Sequence, residues 1–157
     1  MSFVMVAALV ARMAQPEPST IIVTHRFSSP VCGGLCQDTD LKVRSDGLVE
    51  LHLSDPVIGS KWHKDFEYRI SQQQYANFVA AYSKIRPSGL VARLDGCDPV
   101  TLVIDFDIRW EDSGPPSRLL ACRGEDLRRA YLDGFRALGI NVVGGKLTPE
   151  DDEVLSR

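Results

Sequence analysis

The chain has 157 residues, 44% hydrophobic and 25% charged, which is the size and composition of one globular domain. Its formal net charge is −3, with Lys/Arg and Asp/Glu interspersed, so no basic stripe offers a footprint for a nucleic-acid backbone. No uninterrupted apolar run reaches the length of a membrane span, so no stable span is expected in the mature chain.

At the amino terminus, 3-FVMVAALVA-11 is an apolar block followed by 15-QPEPS-19, an extended spacer. The block fits the hydrophobic region of an export signal, although no Lys or Arg precedes it. The alternative is a short amphipathic helix, since Phe3, Val6, Val10 and Met13 recur at spacings of three and four. Residues 1–18 are therefore set apart as a signal-like or helical segment with its linker, ahead of one domain over 19–147. Residues 148–157 are expected to be an acidic, frayed tail.

The first strand expected is 20-TIIVTHRF-27, a β-branched run. A hairpin follows over 40-DLKVRSDGLVELHL-53, with strict alternation on both sides of Asp46-Gly47. After an irregular linker, 54-SDPVIGSKWHKD-65, comes a short strand, 66-FEYRI-70. Ser71 and Gln74 then form a capping box for a helix reaching about Ile85, with Tyr75, Phe78, Val79, Tyr82 and Ile85 on one face. Next, 101-TLVIDFDIRW-110 alternates strongly and pairs through the turn 111-EDSGPPS-117 with 118-RLLAC-122. A last helix, 125-EDLRRAYLDGFRALG-139, carries an apolar stripe and ends on Gly139. The reading is an α+β domain: an antiparallel sheet of five to six strands, wet on one face, with two amphipathic helices on the other.

Four cysteines permit three pairings. A turn centred near Gly114 puts Phe106 opposite Cys122, and Cys97 then lies about 30 Å further along the same strand, out of bonding range. Cys32 and Cys36 in 31-VCGGLC-36 are only four steps apart, and Gly33-Gly34 lets the chain turn between them. A local Cys32–Cys36 disulfide is the favoured reading. A redox pair is disfavoured because the spacing is one residue longer than Cys-x-x-Cys and a strand follows. A metal site on Cys32 and Cys36 needs two more ligands, with His25, His52, His63 and Cys97 as candidates and none of them in a paired ligand spacing, and no cofactor is indicated.

The 32-CGGLC-36 loop, the Asp46-Gly47 hairpin, and the short strand running through Ile70-Ser71 into a helix resemble an uncharacterised family of small bacterial extracytoplasmic domains. That family's loop reads Cys-x-Gly-x-Cys, usually followed by Pro and an aromatic residue where this chain has Gln37 and Asp38. The resemblance implies a periplasmic or secreted α+β domain and transfers no catalytic residue.

Asp105 and Asp107 share a strand face about 7 Å apart, beside Arg109. They suit either a cation site or a solvated face neutralised by Lys42, Arg44 or Arg69, and the latter is favoured. His25, His52 and His63 are isolated, with no nucleophile elbow or phosphate loop in the chain. Val57, Ile58 and Trp62 form an apolar group in an irregular linker, either folded over a sheet edge or presented to a partner. The expected function is a stapled, non-enzymatic binding domain whose partner is an unidentified protein or envelope component. The alternatives are a metal- or thiol-dependent enzyme using Cys32, Cys36 and His25, and a cytoplasmic inhibitor or immunity-like protein.

Overall fold

A computed structural model describes residues 18–26, 37–55, 61–88, 93–95, 106–112, 116–121, 125–143 and 146–149. The signal-like segment, apart from its last residue, and all four cysteines lie outside them, as do Val57, Ile58 and Asp105.

Within the described residues, strand β1 (Thr20–His25) pairs antiparallel with β2 (Asp38–Arg44), and β2 with β3 (Leu48–Ser54). The β2–β3 turn is fixed locally. Gly47 takes φ +87°, Asp46 Oδ1 accepts from the Leu48 amide at 3.2 Å, and the Gly47 amide donates to Arg44 O at 2.9 Å. A Cβ at Gly47 would stand 2.6 Å from the Ile70 carbonyl oxygen, so only glycine lets β4 (His63–Arg69) run on past the turn. β4 starts three residues earlier than its alternation suggests, because His63, Lys64 and Asp65 already pair with β3.

Helix α1 (Gln72–Ser83) opens on the expected capping box: the Gln74 amide donates to Ser71 Oγ at 3.2 Å and the Ser71 amide to Gln74 Oε1 at 3.0 Å. The chain then crosses from one edge of the sheet to the other, where β5 (Arg93–Asp95) lies. Strand β6 (Phe106–Glu111) returns to the centre beside β1, and β7 (Ser117–Ala121) fills the place between β6 and β5. The seven-stranded order is β4-β3-β2-β1-β6-β7-β5, antiparallel except for the β5–β7 pair. Helix α2 (Glu125–Ala137) ends with Gly139 at φ +76°. A separate hairpin of β8 (Ile140–Val143) and β9 (Lys146–Pro149) follows, so regular pairing continues two residues beyond Leu147, where a frayed tail was expected.

The α+β class holds, with one more strand in the main sheet than expected. Register carries every inward residue to the same face. Ile21, Val23 and His25 align with Val43, Leu41 and Thr39 on one side and with Trp110, Ile108 and Phe106 on the other. Both helices cover this face, contributing Phe78, Tyr82, Tyr131 and Phe135, all fully buried. The helices approach closely at Gly134, where a Cβ would meet Tyr82 Cε2 at 2.4 Å.

One expectation about register is corrected. Phe106 faces Ala121, not Cys122, so Leu119 and Ala121 are the β7 residues that enter the core. A one-residue slip exchanges the two faces of a strand, and the position of the unpaired residues in the turn decides it. Among the described residues no helix is long and apolar enough to cross a membrane.

Candidate functional site

The antiparallel order brings two loop attachments to one end of the sheet. The β1–β2 connection, which contains Cys32 and Cys36, leaves after His25 and returns at Gln37. The β3–β4 connection, which contains Val57, Ile58 and Trp62, leaves after Ser54, the register partner of Asp38. The Asp55 amide donates to Trp62 O at 3.3 Å and closes the base of this second loop.

Trp62 is 42% exposed and is the one exposed large hydrophobic side chain among the described residues. It precedes β4, an edge strand, and sits inside 61-KWHK-64, all of which is exposed. Charges on an edge strand discourage indiscriminate strand pairing, so this edge is protected while its aromatic stays presented. The Lys64 ammonium lies 5.9 Å from the centroid of Phe66, and the His63 ring stacks on His52 at 6.1 Å between centroids.

The sheet's other face is open and polar. Lys42 pairs with Glu50 across β2–β3 at 3.2 Å, and Arg26 makes a two-pronged contact with Asp40 at 2.8 Å. His52 is bonded through Nδ1 to Asp65, its direct cross-strand partner. Asp40, Lys42, Glu50, His52 and Asp65 rim a shallow cavity of about 450 Å³ with Ile22 and Thr24 in its lining. The His52–Asp65 pair was not singled out from the sequence, although the hairpin register that creates it follows from the alternation of the two strands. Both side chains are exposed, so solvent screening limits the pair to at most about 1 kcal/mol.

His25 takes a structural position. Its ring is buried beside Phe106 at 4.5 Å and Tyr131 at 5.4 Å between centroids, and Nδ1 lies 3.1 Å from Gln37 O. Donation from Nδ1 to that carbonyl ties the last residue of β1 to Gln37, the residue just before β2. Tyr131 Oη donates to Thr39 Oγ1 at 3.1 Å alongside, completing a small polar layer at this end of the core.

Asp107 is likewise committed. Arg118 bonds both of its oxygens at 2.8 Å, and Arg109 Nη2 adds a bond at 2.7 Å. Partial burial pushes the Asp107 carboxyl upward, but the Arg118 and Arg109 hydrogen bonds and charges outweigh it and hold the group below the usual carboxylate value. Asp107 lies on a polar strand face, and the residues that neutralise it are Arg109 and Arg118, not Lys42, Arg44 or Arg69. Arg44 instead bonds Asp46 at 2.7 Å, and Arg69 donates to Asp46 O. Among the described residues, no three His, Cys, Asp or Glu side chains converge as a metal site requires.

No family profile, characterised protein or solved structure matches this chain.

Proposed function

We propose that this chain is a non-enzymatic binding domain of an oxidising, extracytoplasmic compartment, recognising a protein or envelope component through the Trp62 end of its sheet. Val57 and Ile58 extend the contact, and a Cys32–Cys36 disulfide closes the neighbouring loop. The observation that carries the reading is Trp62 itself: a large aromatic held 42% exposed at the mouth of an edge strand. Aromatics desolvated at the centre of a contact supply much of its free energy, and leaving one in water has no folding benefit. Lys61, His63 and Lys64 surround it, so the partner surface is acidic, with charge steering the encounter and the indole anchoring it.

His25 and Asp107 are the described members of the competing catalytic sets. His25 bonds Gln37 O through Nδ1 and Asp107 is bonded by two arginines, structural contacts that support binding over chemistry.

Quantitative capture from native envelope extract compares the wild type, Trp62→Ala and a control on the exposed face of α2, Arg136→Ala. The expected result is one partner retained by the wild type and the control and lost with Trp62→Ala. Equal retention by all three, or none by any, refutes the reading.

A further inference from the structure

Strand β4 is one edge of the main sheet, and among the described residues no strand pairs with its outer side. The Ile70 amide donates to Gly47 O at 2.9 Å, and the Asp55 amide donates to Trp62 O at 3.3 Å. In an antiparallel ladder such bonds recur at every second residue, so Lys64, Phe66 and Tyr68 bond to β3. His63, Asp65, Glu67 and Arg69 therefore turn their N–H and C=O groups away from the sheet, towards a further strand. Past the end of β4 the chain turns back over the sheet, where Gln72 Nε2 donates to Ser45 O at 3.2 Å.

Charge on this edge is unbalanced within one copy. Glu67 stands directly opposite Glu50, and the nearby Lys42 is taken up by Glu50 at 3.2 Å. Among the described residues no cation pairs with Glu67. Arg69, on the same face, is exposed and makes one hydrogen bond among the described residues, from Nη1 to Asp46 O at 3.1 Å.

We propose that two copies of this chain pair antiparallel through β4, about a two-fold axis at Tyr68, with Glu67 of each copy bonded to Arg69 of the other. Two-fold symmetry makes both contacts at once. Registers that keep the faces of the two sheets aligned place the axis on a single residue. An axis at Lys64, Asp65, Glu67 or Arg69 sets that charged side chain against its own copy, and one at Phe66 sets Asp65 against Glu67. Of the axes within residues 64–69, only Tyr68 opposes no like charges. On the core-facing side it brings Phe66 opposite Ile70 and Tyr68 opposite itself, three side chains that one copy buries only in part. The charges that reject the other registers thus select this one. Trp62 lies outside the paired stretch, so the proposal is independent of the contact assigned to that residue.

Sedimentation of the purified full-length chain over a concentration series tests this. The wild type is expected to reach a dimer that weakens as ionic strength rises. Glu67→Arg and Arg69→Glu each turn both contacts between copies into like-charge pairs. Each should sediment as a monomer, with a cooperative melting curve showing that it is folded. An equimolar mixture of the two variants restores unlike charges at both contacts and should recover the dimer. The double variant Glu67→Arg/Arg69→Glu should recover it alone. A wild type that stays monomeric throughout the series, or single variants that dimerise as the wild type does, overturns the proposal. So does failure of both the mixture and the double variant to dimerise.

Discussion

Arg109 and Arg118 stand directly opposite each other on β6 and β7, two like charges in a cross-strand pair that would repel, and Asp107 bonds both guanidiniums. The carboxylate is only 15% exposed, so it is screened less than the surface ion pairs around it.

Asp107→Asn keeps the shape and removes the charge, leaving the two arginines opposed. It is expected to lower stability by about 1 kcal/mol at neutral pH, read by urea denaturation. The folded-state pKa lies below the ordinary value of 3.8, so the stabilisation is complete above that value and drains away as pH falls through the folded-state pKa. Wild type and variant therefore converge in strong acid, and a difference that grows on acidification would contradict this role.

At the contact between the helices, Gly134→Ala sets two effects against each other. Alanine improves helix propensity by about 1 kcal/mol, but its Cβ enters the space of the fully buried Tyr82 ring. Overpacking of this kind costs about 1–3 kcal/mol, and the ring has no exposed direction in which to swing. The net expectation is a destabilised protein with a lower melting temperature. Trimming the neighbour in Gly134→Ala/Tyr82→Leu should recover part of the loss beyond additivity.

The polar layer beneath the cysteine-bearing loop predicts an asymmetric pair of variants. Tyr131→Phe removes the hydrogen bond to Thr39 but leaves the Thr39 hydroxyl near Gln37 O, at 3.5 Å, for an expected loss of about 1 kcal/mol. Thr39→Val strands the Tyr131 hydroxyl in a fully buried place and should cost more, up to about 3 kcal/mol. Chemical denaturation of the two singles and the double, read as a cycle, isolates the coupling.

The two tryptophans should be optically distinct. Trp110 is 3% exposed and Trp62 is 42% exposed, so Trp62→Phe is expected to remove the red-shifted, iodide-quenchable part of the emission with little change in stability. Emission from the Trp110→Phe variant should remain quenchable.

Local signals were readable and non-local ones were not. Ser71 with Gln74 and Asp46 with Gly47 define a cap and a turn through contacts only a few residues long, and both appear as expected. The inward faces of β2, β3 and β6 were legible because period two survives any choice of neighbour, whereas the β-branched run of β1 shows no such alternation. The β6–β7 register was misjudged by one residue, since nothing in 111-EDSGPPS-117 announces where the unpaired residues fall. That single slip hid both the core position of Ala121 and the Arg118–Asp107 contact. β5 was invisible because three residues show no periodicity and a parallel partner depends on a distant strand. At the candidate site, Trp62 stood out by its apolar character in a charged segment, whereas His52–Asp65 emerges only once two strands are paired.

The most direct measurement places a photo-crosslinking phenylalanine analogue at position 62, and separately at the exposed position 136, in the native host. Illumination should give one discrete heavier adduct from position 62 and none from position 136, with the yield falling as ionic strength rises because the surrounding lysines steer the encounter. No adduct from position 62, or the same adducts from both positions, would show that this end of the sheet is not where the protein meets its partner.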